Sequence, residues 1–279
     1  MFTLHRRRNP LANPARGLLL LKMLVALNFL TTAQVTAQIG IGVSPPHKEF
    51  TLPPGGLARG RAVFFTQHHY RGTFTLNISD WTIDPRTGVV IALSPQKSPY
   101  SASSWIKAKI PADPLRFADD RPEVPIQYEV NVPNIPTLEG SYWAAIVLHT
   151  LPIPSQFERG IKVKLSMNVF HIIYVTIEGT ERPGARIVHF GFGPAKKNLF
   201  LDVENTGNVF LRLRTTLTYK DAKGTILKAE KLPERVLLRD LLVRYQIPMT
   251  DVPEDAVVAS VEVTADGLTS PLYAEVALK

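Results

Sequence analysis

The chain has 279 residues, 45% of them hydrophobic and 20% charged, a globular composition with room for one large or two ordinary domains. Its formal charge of +8 sits largely at the start: Arg6, Arg7, Arg8, Arg16 and Lys22 fall within residues 1–37, which hold no acid, and the longest later basic run is Lys196-Lys197. That distribution argues against a nucleic-acid partner. Cysteine is absent, which excludes disulfides, thiol nucleophiles and Cys-ligated metals.

Residues 1–37 read as a secretory signal peptide. A basic start precedes an apolar stretch from Leu18 to Leu30, broken by Lys22, and Val35-Thr36-Ala37 places small residues before Gln38. The apolar run is short of the ~20 residues needed to span a bilayer. The expectation is an exported protein, periplasmic or otherwise extracytoplasmic.

From Gln38 onward the hydrophobic period is two. Phe74, Leu76 and Ile78 alternate with Thr73, Thr75 and Asn77. Val124, Ile126, Tyr128, Val130 and Val132 alternate with Pro125, Gln127, Glu129 and Asn131. Ile161, Val163, Leu165, Met167 and Val169 alternate with Lys162, Lys164, Ser166 and Asn168. On a pleated strand each pattern sends one apolar row to a core and one polar row to water. Pro53-Pro54-Gly55-Gly56 and Asp84-Pro85-Arg86-Thr87-Gly88 are turns between such runs, the second with Gly88 placed for a positive φ. The stretch 142–148 is apolar on both faces, as a central strand would be. A second block of strands follows Pro183-Gly184, with turns at Asn205-Thr206-Gly207-Asn208, Asp221-Ala222-Lys223-Gly224 and Asp266-Gly267. Residues 227–242 contain helix formers, but Pro233 interrupts them and strands are expected. The fold class predicted is all-β: two immunoglobulin-like β-sandwich domains, residues 38–180 and 183–279, after the signal peptide.

The first block resembles the N-terminal domain of the PapD-like periplasmic pilus chaperone family. The residues that carry the resemblance are Gly42-Val43-Ser44-Pro45, Pro53-Pro54-Gly55-Gly56, Leu76-Asn77-Ile78-Ser79, Gly140-Ser141-Tyr142-Trp143 and Ile172-Ile173-Tyr174-Val175. The second block resembles the family's C-terminal domain more weakly, and its Val203-Glu204-Asn205-Thr206-Gly207-Asn208 is similar to a motif of many bacterial Ig-like modules. The resemblance implies a donor strand that adds to an incomplete subunit fold by β-augmentation. It also implies secreted or fimbrial subunits and an outer-membrane usher as partners. The partner-binding residues it points to are Ile161, Val163, Leu165, Met167 and Lys48. His47 or Lys48 lies near the position of a family arginine. Where the family has a lysine late in the donor strand, this chain has Val169, a departure that bears on carboxylate anchoring.

No nucleophile elbow, phosphate loop or zinc-protease motif occurs. His68-His69 is the one close histidine pair, and strand neighbours point to opposite faces, which is poor geometry for chelation. His149, His171 and His189 read as structural residues, and Asp80 as a cap on the turn that ends its strand. Trp81, Trp105 and Trp143 read as sandwich core. No catalytic residue, metal or cofactor is expected. The alternative to a chaperone is an exported surface or envelope binding module, with its strands covered and exposed aromatics gathered on loops. A hydrolase on a sandwich scaffold would need converging carboxylates or a metal cluster.

Overall fold

The computed structural model describes residues 40–67, 72–111, 115–118, 122–151, 153–154 and 164–279, all within one compact unit, Gly40–Lys279. The predicted signal peptide and His68-His69 lie outside the described residues. Among the described residues there are strands and two short 3₁₀ turns, Ser103–Trp105 and Met249–Asp251, and no α-helix. They build two β-sandwiches.

The first sandwich opens with β1 (Gly40–Ser44), which runs antiparallel to β3 (Leu57–Gln67). Pro45 and Pro46 have no N–H to offer a ladder, so pairing stops there. The Ser44–Pro45 bond is cis, and β2 (His47–Leu52) continues in the opposite sheet. The break resets the alternation. Ile41 and Val43 face the core before it, and Phe50 and Leu52 face the core after it. Next come β4 (Thr73–Ile83) and β5 (Val90–Leu93), joined by the predicted turn, in which Gly88 has φ +74°. The Asp84 carboxylate accepts hydrogen bonds from the Arg86 and Thr87 N–H groups and fixes that turn. Then follow β6 (Ile106–Ala108), β7 (Leu115–Arg116), β8 (Glu123–Asn131) and β9 (Ser141–Thr150). The short strands β10 (Ile153–Pro154) and β11 (Lys164–Leu165) pair with each other, and β12 (Asn168–Ile177) completes the domain. One sheet has the order β1-β3-β8-β6. The other has the order β2-β12-β9-β4-β5, with β7 also on β4. Phe64, Ile126, Ile146, Leu148, Ile173 and Val175 fill the space between them and are fully or almost fully buried.

The second sandwich pairs β13 (Ala185–Phe192), β14 (Asn198–Asn205) and β18 (Leu242–Pro248) in one sheet. Its other sheet has β15 (Leu211–Lys220) between β16 (Ile226–Lys231) and β19 (Val258–Thr264), followed by β20 (Leu272–Ala277). A short β17 (Arg235–Leu237) pairs with β15. Leu199, Leu201, Leu213, Leu217 and Val263 are the centre of its core.

A third apolar cluster lies on the outer face of the β2-β12-β9-β4-β5 sheet. Trp81, Trp143, Ala145, Val147 and Tyr174 from that sheet meet Leu238, Phe210 and Val236 from the second sandwich. This is why residues 142–148 are apolar on both faces: one face serves the first core, the other the junction. The backbones also touch directly. The Ser141 N–H donates to the Asn208 carbonyl at 2.9 Å. A Cβ on Gly140, at φ +70°, would stand 2.1 Å from that same oxygen, so only glycine fits there. The turn that begins at Asp84 docks as well, its Pro85 carbonyl accepting from the Arg244 N–H at 2.8 Å.

Candidate partner-binding edge

β12 carries the geometry of interest because its two edges are not covered equally. Along one edge it pairs antiparallel with β9 over its whole described length to Thr176, starting from Asn168↔His149. Along the other it pairs parallel with β2, but only from Ile172↔His47 to Ile177↔Leu52. Residues 168–171 therefore have a strand on one side and, among the described residues, none on the other. The Ile172 N–H donates toward the β2 side, to the Pro46 carbonyl at 3.0 Å. Backbone direction alternates along a strand, so the N–H and C=O of Asn168 and Phe170 point to that same side, where no ladder among the described residues receives them. An edge of this kind is a template for another strand.

Side chains along this stretch are sorted by parity. Val169 packs on the first core together with Ile173 and Val175, and Phe170 and Ile172 pack on the junction cluster. Asn168 is exposed, and its Oδ1 lies 2.5 Å from His149 Nδ1 on the neighbouring strand. His171 is fully buried. Its Nδ1 faces the Pro45 carbonyl at 2.8 Å and its Nε2 the Tyr128 hydroxyl at 2.9 Å. A carbonyl can only accept, so Nδ1 carries the proton and Nε2 accepts from the tyrosine. Burial pushes the His171 pKa below its ordinary value, against the raising effect of the Pro45 carbonyl.

Of the four apolar residues expected to form the donor row, Ile161 and Val163 lie outside the described residues. Leu165 is in β11, opposite Ile153. Met167 is half-buried in the link between β11 and β12. It is tied to the end of β9, its N–H donating to the Thr150 hydroxyl at 2.7 Å and its carbonyl accepting from the Thr150 N–H at 2.9 Å. The alternation predicts one unbroken strand over 161–169. In the described part, Ser166 and Met167 separate β11, which pairs with β10, from β12, whose ladder to β9 begins at Asn168.

Lys48 is exposed on β2, with its ammonium 5.8 Å from the ring centre of Phe50, on the face that Phe50 and Leu52 share. Its neighbours His47 and Glu49 take the other face, toward the junction. There, Arg212 of β15 lies 5.5 Å from the Tyr174 ring centre and 5.8 Å from that of Phe210. It donates to Glu49 Oε1 from Nε at 3.0 Å, and its Nη1 is 3.8 Å from Glu234. Tyr174 and Phe210 stack with their ring centres 4.1 Å apart. Burial, and then the Arg212 charge, lower the His47 pKa. The cation that meets β2 at the junction is thus Arg212, which sequence reasoning missed. Its alternation with Leu211 and Leu213 reads as an ordinary solvated row, and its partner Glu49 is far away in the chain.

Asp80 is not a cap on the end of its own strand. It lies inside β4, which runs on to Ile83, and is fully buried. Its carboxylate accepts from the Ser98 N–H at 2.8 Å and the Ser101 hydroxyl at 2.6 Å, holding the distant turn that leads into β6. Trp81, Trp105 and Trp143 are all buried, but only Trp105 packs in a sandwich core as expected; Trp81 and Trp143 sit on the outer face of their sheet, in the junction cluster with Leu238, because β4 and β9 are central strands with both faces covered. Among the described residues, no three His, Asp or Glu side chains gather where they could hold a metal ion.

No family model matches this chain, and no curated protein matches it either. Solved structures do. A chain of the Salmonella enterica SafA pilin–SafB chaperone complex is 12% identical, over 86% of this chain and 98% of that one, with a TM-score of 0.43. The E. coli chaperone DraB is 11% identical, over 85% and 99%, with a TM-score of 0.41. The class 5 fimbriae chaperone CfaA is 9% identical, over 85% and 98%, with a TM-score of 0.40. The chain is similar to these fimbrial chaperones along most of its length and most of theirs, while its two-sandwich architecture rests on the strand pairing set out above.

Proposed function

We propose that this protein is an exported chaperone-like protein that binds secreted or fimbrial-type subunits by β-strand addition, and that it is not an enzyme. The observation that carries this function is the open edge of β12 at residues 168–171, reached through a segment, 161–167, whose sequence alternates apolar and polar residues. Backbone groups at such an edge supply affinity to an incoming strand, and alternate side chains fill its groove. A surface module is favoured less. It would gather exposed aromatics on loops, whereas among the described residues the large aromatic left exposed is Tyr273, within β20.

Replacing Val163 and Leu165 together with Asp tests the binding row. Co-purification with a co-expressed secreted subunit that lacks its own final strand is expected to be lost, while the thermal transition stays in place. A collapsed transition would place the row in the protein's own core, since two buried charges are not tolerated there, and would sink the donor role. Export has its own test. Protein recovered from the extracytoplasmic fraction is expected to begin at Gln38 on N-terminal sequencing, and an intact Met1 on membrane-retained protein would defeat it.

A further inference from the structure

We propose that the outward face of β3, β8 and β6 is a second binding site, one that takes an acidic polypeptide segment in extended conformation. Two rows of side chains cross this face. The register sets Arg59 opposite Glu129 and Glu129 opposite Lys107. It sets Arg61 opposite Gln127, whose carbonyl accepts from the Lys109 N–H at 3.0 Å. Arg59, Arg61, Lys107, Lys109 and Gln127 are exposed. Together they line a basin of about 720 Å³. Glu129 is bound to Arg59 at 2.9 Å, and no carboxylate among the described residues pairs with Arg61, Lys107 or Lys109. Arg61 on β3, Lys107 on β6 and Lys109 just after β6 are thus cations with no carboxylate partner among the described residues, gathered around one concavity where their like charges favour an anion.

The spacing selects the ligand. Residues two apart on a strand are ~7 Å apart, and β3 and β6 are two strand spacings, ~10 Å, from each other. An extended peptide carries alternate side chains at that same ~7 Å interval. Acidic residues at every second position of such a segment, laid along β8 past the Arg59–Glu129 pair, would meet Arg61 on one side and Lys107 and Lys109 on the other. The Gln127 amide in the floor offers a donor and an acceptor to its backbone. A bilayer is flat and would meet only the rim of a concave basin, so a lipid surface is the poorer match. This site does not depend on strand addition, because β12 belongs to the opposite sheet.

A fluorescently labelled ten-residue peptide of alternating Glu and Ser is the probe, with binding read by anisotropy. Binding is expected to weaken steeply as salt rises, because exposed charges are screened beyond about 8 Å at 0.15 M. Arg61→Glu with Lys109→Glu is expected to weaken it by about tenfold or more, and Arg61→Ala with Lys109→Ala by less. Lys197→Glu with Lys223→Glu, exposed residues of the second sandwich, makes the same change in net charge and is expected to leave binding within about twofold. Equal loss in both charge reversals would reduce the effect to net charge and overturn the site. So would failure of the unaltered protein to bind the peptide, or binding confined to phosphatidylglycerol vesicles.

Discussion

The His171 imidazole joins three parts of the first sandwich: its own strand, Tyr128 of the facing sheet, and the Pro45 carbonyl at the chain crossing. The groups facing it are Tyr128, Pro45 and the nearby His47, whose charge also opposes protonation. Its folded pKa is lowered, so the unfolded chain takes up this proton first as pH falls through the ordinary value of about 6.5. Stability contributed by neutral His171 is therefore full above that value and is lost between it and the lowered folded value. The thermal transition is expected to drop between pH 7 and pH 5. His171→Gln is expected to cost about 1–3 kcal/mol at pH 7.5, because at least one buried partner loses its hydrogen bond. The variant should also show a flatter pH dependence, with the smaller His47 contribution remaining in both proteins. Identical pH slopes would assign the dependence to other groups.

At the scale of single strands, the open edge can be tested without touching the core. The Asn168 N–H points away from β9, so Asn168→Pro removes an edge donor while keeping the ladder on the other side; proline is tolerated at such positions. Subunit binding is expected to weaken by about tenfold, the equivalent of ~1.4 kcal/mol, with the melting temperature little changed. Unchanged binding would exclude this part of the edge. The elements themselves were largely legible. The turn glycines Gly88, Gly224 and Gly267 all take positive φ where the sequence placed turns, and the stretch after Leu227 divides into strands around Pro233. What period two does not encode is the partner of a strand. β2 lies parallel to β12 across more than a hundred residues, and the proline break shifts its inward face from odd to even positions. That shift puts Lys48 beside Phe50 rather than at the junction. It left Arg212, which stands where His47 and Glu49 turn, without any local signal.

For the whole molecule, the decisive contact is the apolar sheet face shared by the two sandwiches. Leu238 is almost completely buried there against Trp81, Trp143 and Tyr174. Leu238→Asp sets a charge among apolar side chains, which is costly to bury, and is expected to loosen the second sandwich from the first while each keeps its strands. The junction is also fastened by Arg212 to Glu49, by Arg239 to the Glu139 carbonyl, and by Asn208 to the Arg182 N–H and the Ser141 N–H. Of the residues nearest these contacts, Gly140-Ser141 carried the family resemblance and Asn205 to Asn208 a motif common to Ig-like modules, and their common role here is to let two backbones meet.

The placement of the tryptophans turns this junction into an optical reporter. The chain has three, all in the first sandwich, and two of them, Trp81 and Trp143, look onto the second. Ring centres of Trp81 and Trp143 are 6.4 Å apart, and the Trp143 indole N–H donates to the Trp81 carbonyl at 3.0 Å. Emission from the folded protein is then weighted toward dry indoles at the contact between domains, while the second sandwich contributes none. In Leu238→Asp the emission maximum is expected to move to longer wavelength at temperatures where the far-ultraviolet circular dichroism is still that of folded β-structure. Coincident changes in the two signals would mean that the sandwiches unfold as one.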